Sequence, residues 1–80
     1  MTPEEIDEVR ATLDRETDLL IGAIRLVASG GARSADVAGL RLAESAMTLA
    51  RPDAEAAGLT LTPLWRSDES GCDVHVGRLT

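Results

Sequence analysis

The only thiol and the only imidazole of this chain, Cys72 and His75, lie three residues apart with Asp73 between them. These residue types serve as nucleophile, general base and metal ligand. Side chains alternate between the two faces of a strand, so a separation of three places the thiol and the imidazole on opposite faces. Zinc takes three or four protein ligands, which is more than this pair supplies. We therefore predict a packed structural Cys72 and an exposed or hydrogen-bonded His75.

The same pair defines the alternative that the sequence leaves open. A small enzyme, or a thiol or metal protein, could use Cys72 and His75, and two copies could share a metal ion. A general base needs a positioned substrate and an orienting partner, and the sequence identifies neither. We assign no catalytic residue, no metal ligand and no cofactor.

A glycine pair, Gly30-Gly31, precedes Arg33 and Ser34 in a segment that resembles an anion-binding loop before a helix. Backbone N–H groups at a helix start attract phosphate. However, no strand precedes the glycines, as a dinucleotide-binding loop requires, and the spacing does not match a P-loop. We interpret the glycines as the end of a helix followed by a loop.

The first thirty residues have the pattern of one long helix. Thr2, Pro3 and Glu5 form a capping signal at its start, and Gly30-Gly31 supplies its end. Between them, apolar residues recur with helical spacing. The stripe is narrow and flanked by acids in its first half but broad in its second half. We expect a buried C-terminal half and a protruding acidic N-terminal half that can meet a partner helix.

The middle of the chain allows two interpretations. In the first, Ser34 caps a second helix that Pro52 ends or kinks, and residues 52–58 form a short extension. In the second, residues 34–39 form a strand, and residues 34–65 become a strand-helix-strand unit in a small α/β fold. The interior Gly39 favours the first interpretation.

The last third changes from helical to alternating periodicity. Residues 59–65 and 72–76 alternate in hydrophobicity around a polar segment, which predicts a β-hairpin. Pro63 restricts its strand to an edge or a bulge, so the strand from Cys72 is the place to add a neighbour. We expect the apolar face of the hairpin to pack on the helices, and Trp65 to lie in the core or to form an interface hot spot. The predicted fold is α+β. Its predicted core consists of Leu20, Ile24, Val27, Leu40, Met47, Leu59, Leu61, Trp65, Val74 and Val76.

Length and composition favour association with another protein. Eighty residues are expected to form one small domain, and the chain has one Trp, no Phe, no Tyr and a single Cys. It therefore lacks an intrachain disulfide, and small scaffolds without a disulfide or a metal commonly associate. A second copy is the expected partner.

The charge distribution excludes several classes of partner. The formal net charge is −6, with eight Arg, no Lys and fourteen acids, and residues 1–20 alone carry −5. Phosphate backbones and anionic lipid surfaces repel such a chain, so we expect neither direct nucleic-acid binding nor membrane binding. The acidic N-terminus lacks the positive region of a secretory signal, which favours a cytoplasmic protein.

The sequence therefore predicts a small acidic, non-enzymatic protein-interaction module. We expect a homodimer that acts as an accessory subunit or inhibitor of a basic protein partner. Like charges four residues apart on the first helix repel each other, and a basic partner would relieve that repulsion. The predicted partner-binding residues are Glu5, Glu8, Val9, Glu16, Trp65, Val74 and Val76.

Overall fold

A computed structural model describes residues 2–65 and 71–78 and confirms the α+β class. Two helices and three strands follow each other in the order helix, strand, helix, strand, strand. Their bounds are α1 (Pro3–Ala28), β1 (Ser34–Leu40), α2 (Ala43–Ala56), β2 (Leu59–Trp65) and β3 (Cys72–Arg78).

The long first helix is confirmed at both ends. The Thr2 hydroxyl accepts from the Glu5 N–H at 3.3 Å, and a Glu5 carboxylate oxygen accepts from the Thr2 N–H at 3.3 Å. This reciprocal pair satisfies two backbone donors that a helix start leaves without partners. The helix ends at Ala28, and Gly30 follows with a φ of 84°.

Residues 34–40 form a strand, so the prediction of a helix starting at Ser34 is wrong and the alternative strand is confirmed. The strand is stabilised by β3, a neighbour more than thirty residues away in sequence. Gly39 does not break the strand, because it occupies a bulge with a φ of 69°, a conformation that glycine adopts without strain. Its N–H donates to the Asp73 carboxylate at 3.0 Å.

The second helix begins at Ala43 and continues through Pro52 to Ala56. The predicted extension is therefore part of one continuous helix. Pro52 cannot donate to the carbonyl of Thr48, but both residues lie on the exposed side, where water can satisfy that carbonyl. The buried side of the helix is continuous across the proline. Its members are Ala43, Ala46, Met47, Ala50 and Ala54.

The three strands form an antiparallel sheet in the order β1-β3-β2. The predicted hairpin is present, with Leu61 opposite Val76 and Trp65 opposite Cys72. β3 is the central strand, as its lack of proline predicted, and Pro63 lies on an edge strand. Since β1 and β2 both run antiparallel to β3, they are parallel to each other and α2 is the crossover between them.

Both helices pack on one face of this sheet. The predicted core residues Leu20, Ile24, Val27, Leu40, Met47, Leu59, Val74 and Val76 are buried, and Leu61 is half-buried. The expectation of a core Trp65 is wrong, because its side chain is 63% exposed. Trp65 lies at the last position of edge strand β2, where the sheet ends.

Glu16 connects α1 to the turn between β1 and α2. It is only 2% exposed, and its two carboxylate oxygens accept from the backbone N–H groups of Arg41 at 2.8 Å and Leu42 at 2.6 Å. Leu42 is the N-cap residue of α2 and has no side-chain oxygen to cap the helix. The carboxylate of another helix instead accepts from the N–H of this N-cap residue and of the residue before it, at the positive end of the α2 dipole.

We predict that Glu16→Ala lowers the free energy of unfolding by about 3 kcal/mol, because two partly buried N–H groups lose a charged acceptor. Urea unfolding followed by circular dichroism measures the loss. Glu16→Gln should lose less, since the amide keeps one acceptor oxygen. Asp18→Ala, which removes an exposed carboxylate from the same helix, is the matched control and should change stability by less than about 0.5 kcal/mol. Equal losses for Glu16→Ala and Asp18→Ala would contradict the role of Glu16 at the start of α2.

Candidate functional site: the exposed half of the first helix

The first helix is much longer than the sheet on which it packs. Its 26 residues span about 39 Å, whereas each seven-residue strand spans about 23 Å. The Arg78 guanidinium donates to the Val27 carbonyl at 3.2 Å near one end of the sheet. At the other end of the sheet, the Glu16 carboxylate accepts a hydrogen bond from the turn that follows Leu40. Residues 3–12 therefore extend beyond the strands, and we call them the overhang.

The overhang carries the apolar stripe of the buried half into solvent. Residues 3–11 are all exposed, and Ile6 and Val9 are each 43% exposed. At 100° per residue, both point to the same side of the helix as Leu13 and Leu20. Leu20 is fully buried, and Leu13 is half-buried against the core. The overhang thus presents a core-type helix surface that the described part of the chain does not cover.

One edge of this stripe has opposite charges at its two ends. Glu5 lies near the tip, and Arg41 reaches the base from the turn after β1. Arg41 lines a shallow groove of about 490 Å³ with Glu8 and Arg15, and an adjoining one of about 210 Å³ with Val9. Neither arginine forms an ion pair with another described residue.

The outward side of α1 is acidic along most of its length. The members of this acidic ridge are Glu4, Asp7, Asp14 and Asp18. Asp14 and Asp18 lie four residues apart, and Glu4 and Asp7 lie three apart, so the carboxylates of each pair repel each other. All four residues are exposed, and none of their carboxylates has a hydrogen bond or ion pair within the described residues.

The structure separates the seven predicted partner-binding residues into two groups. Glu5, Glu8 and Val9 lie on the overhang, and Trp65 is exposed at the end of β2. The other three are not on the surface. Glu16, Val74 and Val76 are buried inside the chain, Glu16 against the turn before α2 and the two valines in the core under the helices. Their burial corrects the expectation that they face a partner.

The thiol and the imidazole lie on opposite faces of β3, as predicted. Cys72 is fully buried, and its thiol donates to the Asp73 carbonyl at 3.3 Å. His75 lies on the open face, where its Nδ1 is 2.7 Å from a carboxylate oxygen of Asp36. This pair orients the imidazole but includes no nucleophile. The register of β1 with β3 places Asp36 opposite His75. A helix over residues 34–39 does not bring these two residues together, so the helical interpretation gives no sign of the pair.

The remaining chemical candidates have no site in the described residues. Among residues 2–65 and 71–78, no cluster of three His, Cys, Asp or Glu side chains is placed to hold a metal ion. The Gly30-Gly31 loop leads into β1 rather than into a helix start. The helices of the described chain lack the combination of length and apolar character that a bilayer-spanning helix requires.

The comparisons with known proteins add no relative. No family model matches the chain, and neither a curated protein nor a solved structure matches it. Inference about function therefore depends on the surfaces described above.

We predict that the Cys72 thiol reacts with a thiol reagent only when the chain unfolds, because no part of its side chain is exposed. Labelling with Ellman's reagent across a urea titration measures this, and the labelled fraction should follow the unfolding curve. Ser29→Cys, which places a thiol on an exposed residue, is the control and should react at once in the native protein. Fast native labelling of Cys72 would contradict its structural role.

Proposed function

We propose that this chain is a non-enzymatic protein-interaction module that works as a homodimer and serves as an accessory subunit or inhibitor of a basic protein partner. The observation that carries the proposal is the overhang. A helix that only completed its own core would need to cover about 23 Å of strand, and α1 is about 16 Å longer. The additional turns expose Ile6 and Val9 on the face of α1 that, further along the helix, packs against the core.

The acidic ridge supports a basic partner. Its carboxylates have no hydrogen bond or ion pair within the described residues, so a partner can pair with them without breaking existing contacts. Repulsion at i and i+4 costs a few tenths of a kcal/mol per pair, and a cationic surface would relieve it. The whole chain has fourteen acids and eight arginines, so its long-range electrostatic field is negative, like the ridge, and attracts a basic partner.

We do not propose the enzyme alternative. Its two key side chains lie on opposite faces of a strand, and Cys72 is closed to substrate by the core. The Asp36 and His75 side chains are 67% and 41% exposed, so their pair is open to solvent, and neither residue lines the grooves described above. An active site usually needs a concave pocket around its reacting groups.

We predict that Asp14→Asn together with Asp18→Asn weakens binding of the basic partner by about tenfold or more, because two unpaired carboxylates leave the ridge. The matched control, Asp53→Asn together with Glu55→Gln, removes two exposed carboxylates from α2 and should leave binding unchanged. Affinity capture from the native host with quantitative mass spectrometry at about 0.05 and 0.5 M salt measures both, since salt screens exposed charges.

Three outcomes would contradict the proposal. The wild-type chain could enrich no protein over a tag-only control. The ridge variant and the control variant could retain their partner equally. Changing both Cys72 to Ser and His75 to Ala could abolish an activity of the purified chain while partner binding survived, which would favour the enzyme alternative.

A further inference from the structure

We propose that the overhangs of two copies pair antiparallel about a two-fold axis perpendicular to α1, each covering the apolar stripe of the other. This inference rests on the proposed function, because it names the occupant of the same overhang. The paired residues are Ile6 and Val9 of both copies, with Leu13 at the inner edge of the contact. The interface is isologous, so the same patch of both copies must complement itself.

The direction of the stripe excludes a parallel pair. Ile6 and Val9 point to the side of α1 on which the sheet and α2 lie further along the helix. A parallel second helix on this stripe would continue into the space that the sheet of the first copy occupies. An antiparallel helix avoids this collision, because its own sheet then lies beyond the opposite end of the overhang.

The uncovered space beside the overhang has the length that a second overhang would fill. The overhang spans about 15 Å, so two overlapping overhangs of equal length fill the space beyond both sheets. The tip of each then reaches the end of the other sheet, where Trp65 is 63% exposed. The groove beside Val9 and Leu42 lies along the same path.

The charges on the flank favour the antiparallel direction. A two-fold axis perpendicular to α1 places the flank of one copy beside the same flank of the other copy, running in the opposite direction. Glu5 at the tip of one copy therefore lies beside Arg41 at the base of the other. Arg41 forms no ion pair within the described residues of its own chain, so it is available for the contact. Opposite charges at the edge of a helix contact select its orientation.

The open face of the sheet is a weaker candidate for self-association. It carries Asp36, Asp73 and His75 with the threonines of β2 and one exposed leucine, Leu64. Two carboxylates on a surface with a single apolar side chain disfavour its pairing with itself. The overhang instead has two adjacent apolar side chains, Ile6 and Val9, bordered by opposite charges.

Light scattering of the purified full chain tests the pairing. We expect a dimer at about 50 µM for the wild type, and a folded monomer for Ile6→Asp combined with Val9→Asp, because two carboxylates enter the apolar contact. Leu26→Asp is the matched control, since Leu26 is equally exposed on the same helix but lies outside the overhang. It should remain a dimer. Circular dichroism establishes that all three chains are folded.

A distance measurement tests the direction. With overlapping overhangs, the two Ser29 positions lie about 60 Å apart, whereas a side-by-side parallel pair would bring them within about 20 Å. Spin labels on Ser29→Cys, measured by pulsed electron resonance, distinguish these distances, and the buried Cys72 stays unlabelled. A short distance would overturn the antiparallel arrangement.

A charge exchange tests the flank. Arg41→Glu should weaken the dimer by about tenfold, Arg41→Lys should weaken it less, and adding Glu5→Arg to Arg41→Glu should restore it. Equal affinity in all variants would contradict the charge contact.

The failures of the two proposals are distinguishable. A wild-type monomer at about 50 µM overturns self-pairing and leaves partner binding through the ridge to be judged by the capture experiment. A dimer that the overhang variant leaves intact also overturns it. A dimer with the expected Ser29 distance supports self-pairing even where capture finds no basic partner.

Discussion

The contact of Glu16 with the turn before α2 fixes one end of the sheet against α1. A carboxylate buried among apolar groups is stable only when it is well hydrogen-bonded, and here two backbone N–H groups fix both of its oxygens. Because α2 has no side-chain cap of its own, the carboxylate is also the negative charge at the start of that helix. The end of the sheet is thereby held level with the middle of α1, and the overhang projects beyond it.

The core that holds this arrangement is thin, and small side chains make it possible. α2 contributes four alanines and one methionine to the interior, so its backbone can approach α1 and the sheet closely. Helices with such small contact residues bury little apolar area per residue. They therefore gain little free energy from burial, since each buried Å² contributes about 25 cal/mol. The branched residues Val27, Leu40, Val74 and Val76 fill the remaining volume. A chain with so modest an interior gains stability from any additional apolar contact on its surface.

The sequence predicted the elements that depend on local chemistry and missed those that depend on distant neighbours. The capping pair at Thr2 and Glu5 and the alternation around Val74 are local, and both were identified. Residues 34–39 resemble the start of a helix in sequence, because the pairing with β3 that stabilises β1 is not local, and Gly39 resembles a strand breaker although it occupies a bulge. Glu16 resembles one more solvated acid in an acidic helix. Its role depends on backbone groups 25 and 26 residues away.

The same distinction applies to the candidate site. Its apolar stripe was predictable, because Ile6 and Val9 repeat with the helical period, and the protruding acidic half was predicted from the change in the width of the stripe. Arg41 carries no such signal, since it follows a strand and reaches the helix flank only through the fold. The edge of the stripe acquires opposite charges at its two ends only when the fold brings Arg41 to the base of the overhang, with Glu5 at the tip. A helix stripe alone accepts a partner in either direction. In the pairing that we propose, the fold selects the antiparallel direction, because it places Arg41 at the base of the overhang and the sheet in the path of a parallel helix.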